Sequence, residues 1–390
     1  MKIILKLAFR NVIGAGLRTW LNVIVLSLSF VTIIGMQGLY RGMQDQAENA
    51  MIQTEYAGGQ FWHPAYDPFD PFSLEESHQK IEGEAQTQVA AGNLLPILIT
   101  RSTIYPQGRV TSALLKGIVP GQDIIDMPTQ VLTANEEVIP AMIGTRMAKA
   151  NRLSEGDLLT VRWRDTNGTF DAQDVQIVRI FSTIAASIDA GQIWVPLDRL
   201  QTMLKMADEA TLMIQKKNVP PVDLTGWSFK DLSFLLVDFR AMVASKQIGG
   251  SIIYTILLSL ALLAIFDTQV LSIWRRKKEM GTLMAMGMTR QQLIGLFTTE
   301  GAMHGILAAA LGAIYGTPLL YKFAKEGWAM PDMVDSFGFT LGSKLIPSYT
   351  LGLVLTSTLL VLITVTVVSF LPTRKIAKLQ PTDALRGKLT

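Results

Sequence analysis

Residues 274–292 read WRRKKEMGTLMAMGMTRQQ, a cluster of four basic residues opening an amphipathic segment wedged between two long apolar runs. Arg275, Arg276, Lys277 and Lys278 close the run Ser251 to Ile273, and Arg290 precedes the next one. The positive-inside bias assigns such a loop to the cytoplasm. Met280, Leu283, Met284 and Met288 fall near helical spacing and make a methionine-rich stripe, an adaptable surface suited to a partner groove. The same pattern also describes a helix lying in the membrane interface.

Working outward, four apolar runs emerge: Trp20 to Leu39, Ser251 to Ile273, Leu293 to Leu320 and Tyr349 to Phe370. Each reaches the roughly 20 helical residues that cross a bilayer. The chain has 390 residues, 49% hydrophobic and 17% charged, too apolar for an ordinary soluble domain although its centre is polar. The expected fold is an α-helical membrane protein of four transmembrane helices, with a large α+β extracytoplasmic domain between the first and second. The boundaries read as a cytoplasmic amphipathic segment 1–18, spans at 19–40, 249–273, 293–321 and 349–371, and an extracytoplasmic domain at 41–248. A cytoplasmic helix at 274–292, an extracytoplasmic loop at 322–348 and a cytoplasmic tail at 372–390 complete the layout.

Charge sets the orientation. The two terminal flanks and the middle loop carry fourteen basic residues against Glu279 and Asp383, which puts both termini in the cytoplasm. Residues 41–249 carry 18 Lys and Arg against 25 Asp and Glu, fitting the translocated side and excluding a nucleic-acid partner. The first apolar core is too long for a signal peptide and lacks a small-x-small cleavage site, so a retained anchor is expected. The absence of cysteine excludes disulfides, thiolate metal sites and lipidation through cysteine.

The external segment, about two hundred residues, is expected to hold its own core in two lobes. Strands are read around Gly58–Pro64, over Ile97–Tyr105 and over Ser112–Val119, with a helix over Ser73–Ala91. Residues 143–164 read as helix, Gly156-Asp157 turn and strand, and Asp198 as a cap or first-turn residue. Phe61, Trp62, Tyr66, Phe69 and Phe72 make either a ligand surface or loop packing. No phosphate loop GxxxxGK[ST], nucleophile elbow GxSxG or zinc signature HExxH occurs. Glu300 and His304 share a helical face within the third run and Asp267 lies in the second, positions that fit interhelical bonding better than a site. No catalytic residue and no metal ligand is assigned.

The order of parts, with the loop RRKKEMGTLMAMGMTRQQL and the tail LPTRKIAKLQPTDALRGK, resembles the permease superfamily of FtsX, MacB and the lipoprotein-releasing LolC and LolE proteins. Glu279, Gly281, Met286-Gly287 and Arg290 match the loop pattern of that family. Pro372, Arg374 and Gln380–Arg386 match its tail pattern, while Lys375-Ile376 depart from it. The resemblance implies a homodimer or heterodimer of permease subunits above a pair of ABC ATPase subunits. The ATPases would bind through a coupling helix made of Arg276, Lys278, Glu279, Met280, Gly281, Leu283, Met284, Gly287, Met288 and Arg290.

By the same resemblance this chain binds no cofactor, ATP and Mg being held by the partner ATPase, and it is not itself an enzyme. It would sit in the bacterial inner membrane and pass ATP-driven motion to its outer domain, with substrate never crossing the membrane. The expected activity is release of lipoprotein or another amphipathic substrate from the outer leaflet, with a periplasmic carrier, adaptor or lipoprotein and membrane lipids as further partners. Export of a drug or peptide in a tripartite assembly and signalling to a cell-wall hydrolase are the alternatives. Phe30, Ile34, Ile252 and Ile256, in almost wholly apolar stretches, are expected to line a lateral cavity for substrate.

Overall fold

The computed structural model describes residues 16–133, 138–183, 186–329 and 344–374. The chain opens with α1 (Leu17–Met51), which ends in a π-helical turn, Ile52–Tyr56. Strands β1 (Gln60–Trp62) and β2 (Gln79–Lys80), helix α2 (Glu84–Ala90), β3 (Leu94–Ile104), β4 (Thr111–Ile118) and β5 (Ile139–Gly144) follow. Next come α3 (Thr145–Asn151), β6 (Leu158–Arg164), β7 (Phe170–Phe181), α4 (Ala186–Asp189), β8 (Gln192–Pro196) and α5 (Leu197–Leu204). After β9 (Glu209–Ala210), β10 (Leu212–Gln215) and β11 (Ser228–Lys230), a short α6 (Leu232–Leu235) leads into α7 (Val237–Arg275). Helices α8 (Lys277–Ala285), α9 (Arg290–Glu326) and α10 (Leu351–Thr373) complete the described chain. It divides into two compact units, Gln44–Ala241 falling in one and α1 up to Met43, Met242–Trp328 and the chain from Leu345 in the other.

The helical unit contains the four helices long and apolar enough to cross a membrane, α1, α7, α9 and α10. Half of the most apolar stretch of α1 is buried, against 17% for α7 and α10, so α1 is the central post. Val23, Leu26, Phe30 and Ile34 recur at helical spacing along it and pack with Ala261, Ile265, Ala308, Val361 and Val365. In lipid the hydrophobic effect does not drive helices together, so close backbone approach and interhelical hydrogen bonds must do so. The small residues of α9 provide the approach. A Cβ on Gly316 would lie 2.6 Å from Val31 Cγ2, one on Gly312 3.2 Å from Phe30 Cδ1, and one on Gly305 3.1 Å from Leu362 Cδ2. Gly312 and Gly316 therefore dock α9 on α1, and Gly305 docks it on α10. Asn22 Nδ2 donates to Thr268 Oγ1 at 2.5 Å, and Ser357 Oγ to Gln37 Oε1 at 2.7 Å, tying α1 to α7 and α10.

The other unit is built on one nine-stranded mixed sheet, β11-β1-β10-β3-β4-β8-β5-β7-β6. A further pairing of β3 with β6, Ser102 opposite Trp163 and Ile104 opposite Val161, closes six of its strands into a ring. Alternating residues point into that ring: Leu98 and Ile104 from β3, Leu115 from β4, Val161 and Trp163 from β6, Ile193 and Val195 from β8. Leu197, Leu200 and Leu204 of α5 and Met147 of α3 complete this core. The opposite residues of the same strands, among them Ile97, Ile99, Met142 and Trp194, form a second core on the outer face. A third, smaller core gathers Phe61, Leu94, Met213 and Ala85.

Several expectations change. The anticipated two lobes are one continuous sheet with cores on both faces. The helix read over Ser73–Ala91 is three elements: a 3-10 turn Pro71–Glu75, β2 paired with β9, and α2. Gly83, at φ +61°, breaks helical continuity just before α2, and His78 Nδ1 meets Glu209 Oε2 at 2.5 Å, fixing the extended pairing. Asp198 lies in the first turn of α5. Residues 1–15 of the expected amphipathic segment 1–18, residues 330–343 of the loop 322–348 and residues 375–390 of the tail, with its motif Gln380–Arg386, lie outside the described residues.

The glycine contacts yield a first prediction. Gly316→Leu forces α9 away from Val31 and should destabilise the helical unit by about 1–3 kcal/mol, the usual cost of overpacking. Thermal unfolding in mild detergent, followed by size-exclusion monodispersity, should show the loss. The same change at Gly295, where nothing lies within 4 Å of the added Cβ, should be silent.

Candidate functional site

The residues linking α7 to α9 make a compact hairpin whose geometry follows from three local devices. Arg276 leaves the helix (φ −97°, ψ 18°), so α7 ends and α8 starts within one residue. Gly287, at φ +98°, makes the reverse turn that an L side chain disfavours. Thr289 then caps α9 through a capping box: Thr289 Oγ1 accepts from Gln292 N at 3.3 Å while Thr289 N donates to Gln292 Oε1 at 2.9 Å.

Arg276 is the centre of the arrangement. Its Nε and Nη2 donate to the two oxygens of Glu279, each at 2.7 Å, and its Nη1 donates to both oxygens of Glu300, at 2.7 and 3.0 Å. Its guanidinium also lies 4.8 Å from the ring centroid of Phe297, which is wholly buried. One planar fork thus joins α8 to a buried carboxylate about three turns into α9. The hydrogen bonds to Glu279 and the charge of Glu300 raise the Arg276 pKa, and Arg276 in turn lowers that of Glu279. Because the folded-state pKa of Glu279 is depressed, its contribution to stability is complete above its ordinary value of 4.5 and is lost only as pH falls through the lowered one.

The methionine stripe turns inward. Met280 and Leu293 are wholly buried with Ile273 and Phe297, and Leu283, Met284 and Met288 pack partly buried against them. The groove that accepts this stripe is supplied by the first turns of α9, so the apolar side of α8 is spent within the chain. Gly281 is buried; Lys278, Glu279, Gly287 and Arg290 are exposed, as are Trp274, Arg275, Thr282, Ala285 and Met286. The outward surface is therefore largely polar and basic, with Trp274, Ala285 and Met286 as apolar points. Lys277 is buried with its ammonium 4.1 Å from the Trp274 ring centroid.

The four residues expected to line a lateral cavity divide into two pairs. Phe30 and Ile34 lie in the core of the helical unit, 6% and 4% exposed. Ile252 and Ile256 lie on the outward face of α7, with Ile253 and Leu260 beside them. His304 sits one turn beyond Glu300, its Nδ1 3.0 Å from the Glu300 carbonyl. Among the described residues, no group of three or more His, Asp or Glu could hold a metal ion. Sequence reasoning missed the partnership of Arg276 with Glu300; its signal is a lone acid inside an apolar run that follows a basic cluster.

Residues 251–381, which take in this hairpin, match the FtsX-like permease C-terminal family. The "Uncharacterized ABC transporter permease MJ1507" of Methanocaldococcus jannaschii is 24% identical over 165 residues, covering 41% of this chain and 39% of that protein. The chain thus matches about two fifths of the length of that relative. The extracellular domain of the noncanonic ABC-type transporter YknZ from Gram-positive bacteria matches at 17% identity, covering 47% of this chain and 94% of the YknZ domain, with a TM-score of 0.25.

Replacing Arg276 with Ala leaves Glu300 without its guanidinium and should cost about 3 kcal/mol, the low end for breaking a buried pair. The double variant R276M/E300Q, which removes both charges, should recover most of that stability. Thermal unfolding of both variants in detergent checks the expectation.

Proposed function

We propose, on the match of residues 251–381 to the FtsX-like permease C-terminal family, that the chain is a permease of the FtsX/MacB type and the membrane subunit of an ABC transporter driven by a separate pair of ATPase subunits. ATP and Mg are held by those partners. Residues 274–292 are their docking and coupling element, and both chain termini share the cytoplasm with it. The observation that carries this reading is the Arg276 fork. A displacement of α8 by a partner is passed from Glu279 to Arg276 through two charge-assisted hydrogen bonds, from Arg276 to the buried Glu300 of α9 through two more, and through a packed apolar cluster, so hairpin and helix move as one body.

Docking uses what the hairpin exposes. Lys278, Glu279, Gly287 and Arg290 present charge and a tight turn to the partner, whereas Met280, Leu283, Met284 and Met288 stiffen the hairpin from within. Work is delivered to the outer domain, consistent with the scarcity of ionisable groups in α1 between Val23 and Ile34 and in α7 between Ile252 and Ala264. A second permease subunit or acyl chains cover the open face of α7 at Ile252 and Ile256. Phe30 and Ile34 serve packing in this arrangement. The substrate class is an amphipathic molecule of the outer leaflet, lipoprotein included, extracted without crossing the bilayer.

Two experiments test the reading. The tagged chain, gently solubilised, should retain an ATPase and raise its turnover. Glu279→Lys or Gly287→Leu should lower that stimulation about fivefold or more, within the usual range of coupling energies, while membrane insertion is unchanged. Retention of no ATPase in lipid nanodiscs would sink the proposal. For orientation, the natural absence of cysteine makes single replacements clean. Thr282→Cys should react with an impermeant maleimide only after the cells are opened, and Asp171→Cys in intact spheroplasts.

A further inference from the structure

The outer face of the sheet carries a cavity of about 850 Å³, inside the roughly 300–1,000 Å³ range of small-ligand sites. Strand register builds its floor. Lys116 stands opposite Ile99 on one side and Trp194 on the other, and Leu114 opposite Gln192, so all five point to one face. Ile97 pairs with Leu212 and Leu212 with Trp62, which continues the same face as an apolar wall. The roof comes from the end of α1 and its π-turn, the loop from His63 to Phe69, and α6 with the first residues of α7. Trp62 meets Tyr66 and Phe234 edge-on, with centroids 5.1 and 5.8 Å away, and the aromatics that the sequence left open divide: Trp62, Tyr66 and Phe69 line the cavity, while Phe61 is core and Phe72 is exposed.

The polar groups of the floor are unusual for a packed core. Lys116 is 6% exposed, yet the contacts of its ammonium are Glu55 Oε1 at 3.9 Å and the Trp194 ring centroid at 5.0 Å, neither a hydrogen bond. Burial pushes its pKa down, and Glu55 pulls it part of the way back. Trp194 and Gln192, 2% and 6% exposed, leave Nε1 and Oε1 without a hydrogen-bond partner. Turning the Gln192 amide by half a turn exchanges the unmet acceptor for an unmet donor. Buried polar groups are ordinarily satisfied, and a short row of unsatisfied ones facing a cavity marks the place of an absent partner. The acids that also line the cavity, Glu55, Asp67 and Asp238, belong to the roof, whereas the floor is rich in donors.

We propose that this cavity binds a single-chain amphipathic anion, its carboxylate or phosphate head against Lys116 and Trp194 and its chain along Ile97, Leu212 and Trp62. The head must be an acceptor because the ammonium and the indole N–H only donate. It must be small because donors and apolar wall lie on adjacent strands. Lys230, 4.8 Å from the Phe234 ring centroid, adds a second cation at the far end of the wall. The site needs no ATPase, so its failure would leave the coupling proposal intact.

The full chain in lipid nanodiscs is titrated calorimetrically with decanoate, decyl phosphate and decanol. At least one of the two anions should bind saturably and about tenfold or more tightly than the alcohol. Whichever binds better identifies the head. Lys116→Met should weaken the anion about tenfold or more, at some cost in thermal stability because it also removes the ammonium 3.9 Å from Glu55. Trp194→Phe, which deletes the N–H and keeps the ring, should weaken it several-fold and carries the test if the lysine variant does not fold. Uptake of anion and alcohol to the same extent, identical uptake by both variants and the parent, or no saturable uptake of either anion would each overturn the proposal.

Discussion

A single guanidinium holds the hairpin between α7 and α9 to the rest of the helical unit. Arg276 directs its donors to two carboxylates, one exposed in α8 just after it and one buried in α9. An ionised glutamate in an apolar environment is tolerated only when paired and hydrogen-bonded, so the position of Glu300 dictates where α8 begins. Methionines and Phe297 then fill the space beneath the fork, and Gly287 and the Thr289 cap fix the return into α9.

The helix that holds Glu300 is also the one with the narrowest face. Gly305, Gly312 and Gly316 let α9 approach α1 and α10 more closely than any side chain would allow. An α9 displaced at its first turns therefore carries its neighbours with it, because packed interfaces respond as bodies and not as springs. Polar ties such as Asn22 to Thr268 and Ser357 to Gln37 reinforce that behaviour where van der Waals packing alone would permit sliding.

Much of this was legible in the residues. Four runs of apolar sequence announce four helices, and the basic cluster at Arg275–Lys278 announces the hairpin, because length and charge are local properties. Strands β3 and β4 lie within a few residues of their expected places for the same reason. What escaped was long-range. Closure of the sheet through β3 and β6 joins residues some sixty positions apart. Periodicity announced a methionine face on α8 but not that α9 would cover it. Arg276 and Glu300 stand 24 positions apart, with nothing local to link them. The floor of the cavity assembles Lys116, Gln192 and Trp194 only through strand register, which no single stretch encodes.

The central claim is that the exposed side of this hairpin meets a nucleotide-hydrolysing partner while its apolar side does not. A photo-crosslinking amino acid placed in turn at Lys278, Arg290 and the wholly buried Met280, in intact cells, examines it directly. The account predicts an adduct with an ATPase subunit at the first two positions and none at Met280. Adducts with lipid alone at Lys278 and Arg290 would contradict it and make the hairpin an interfacial anchor.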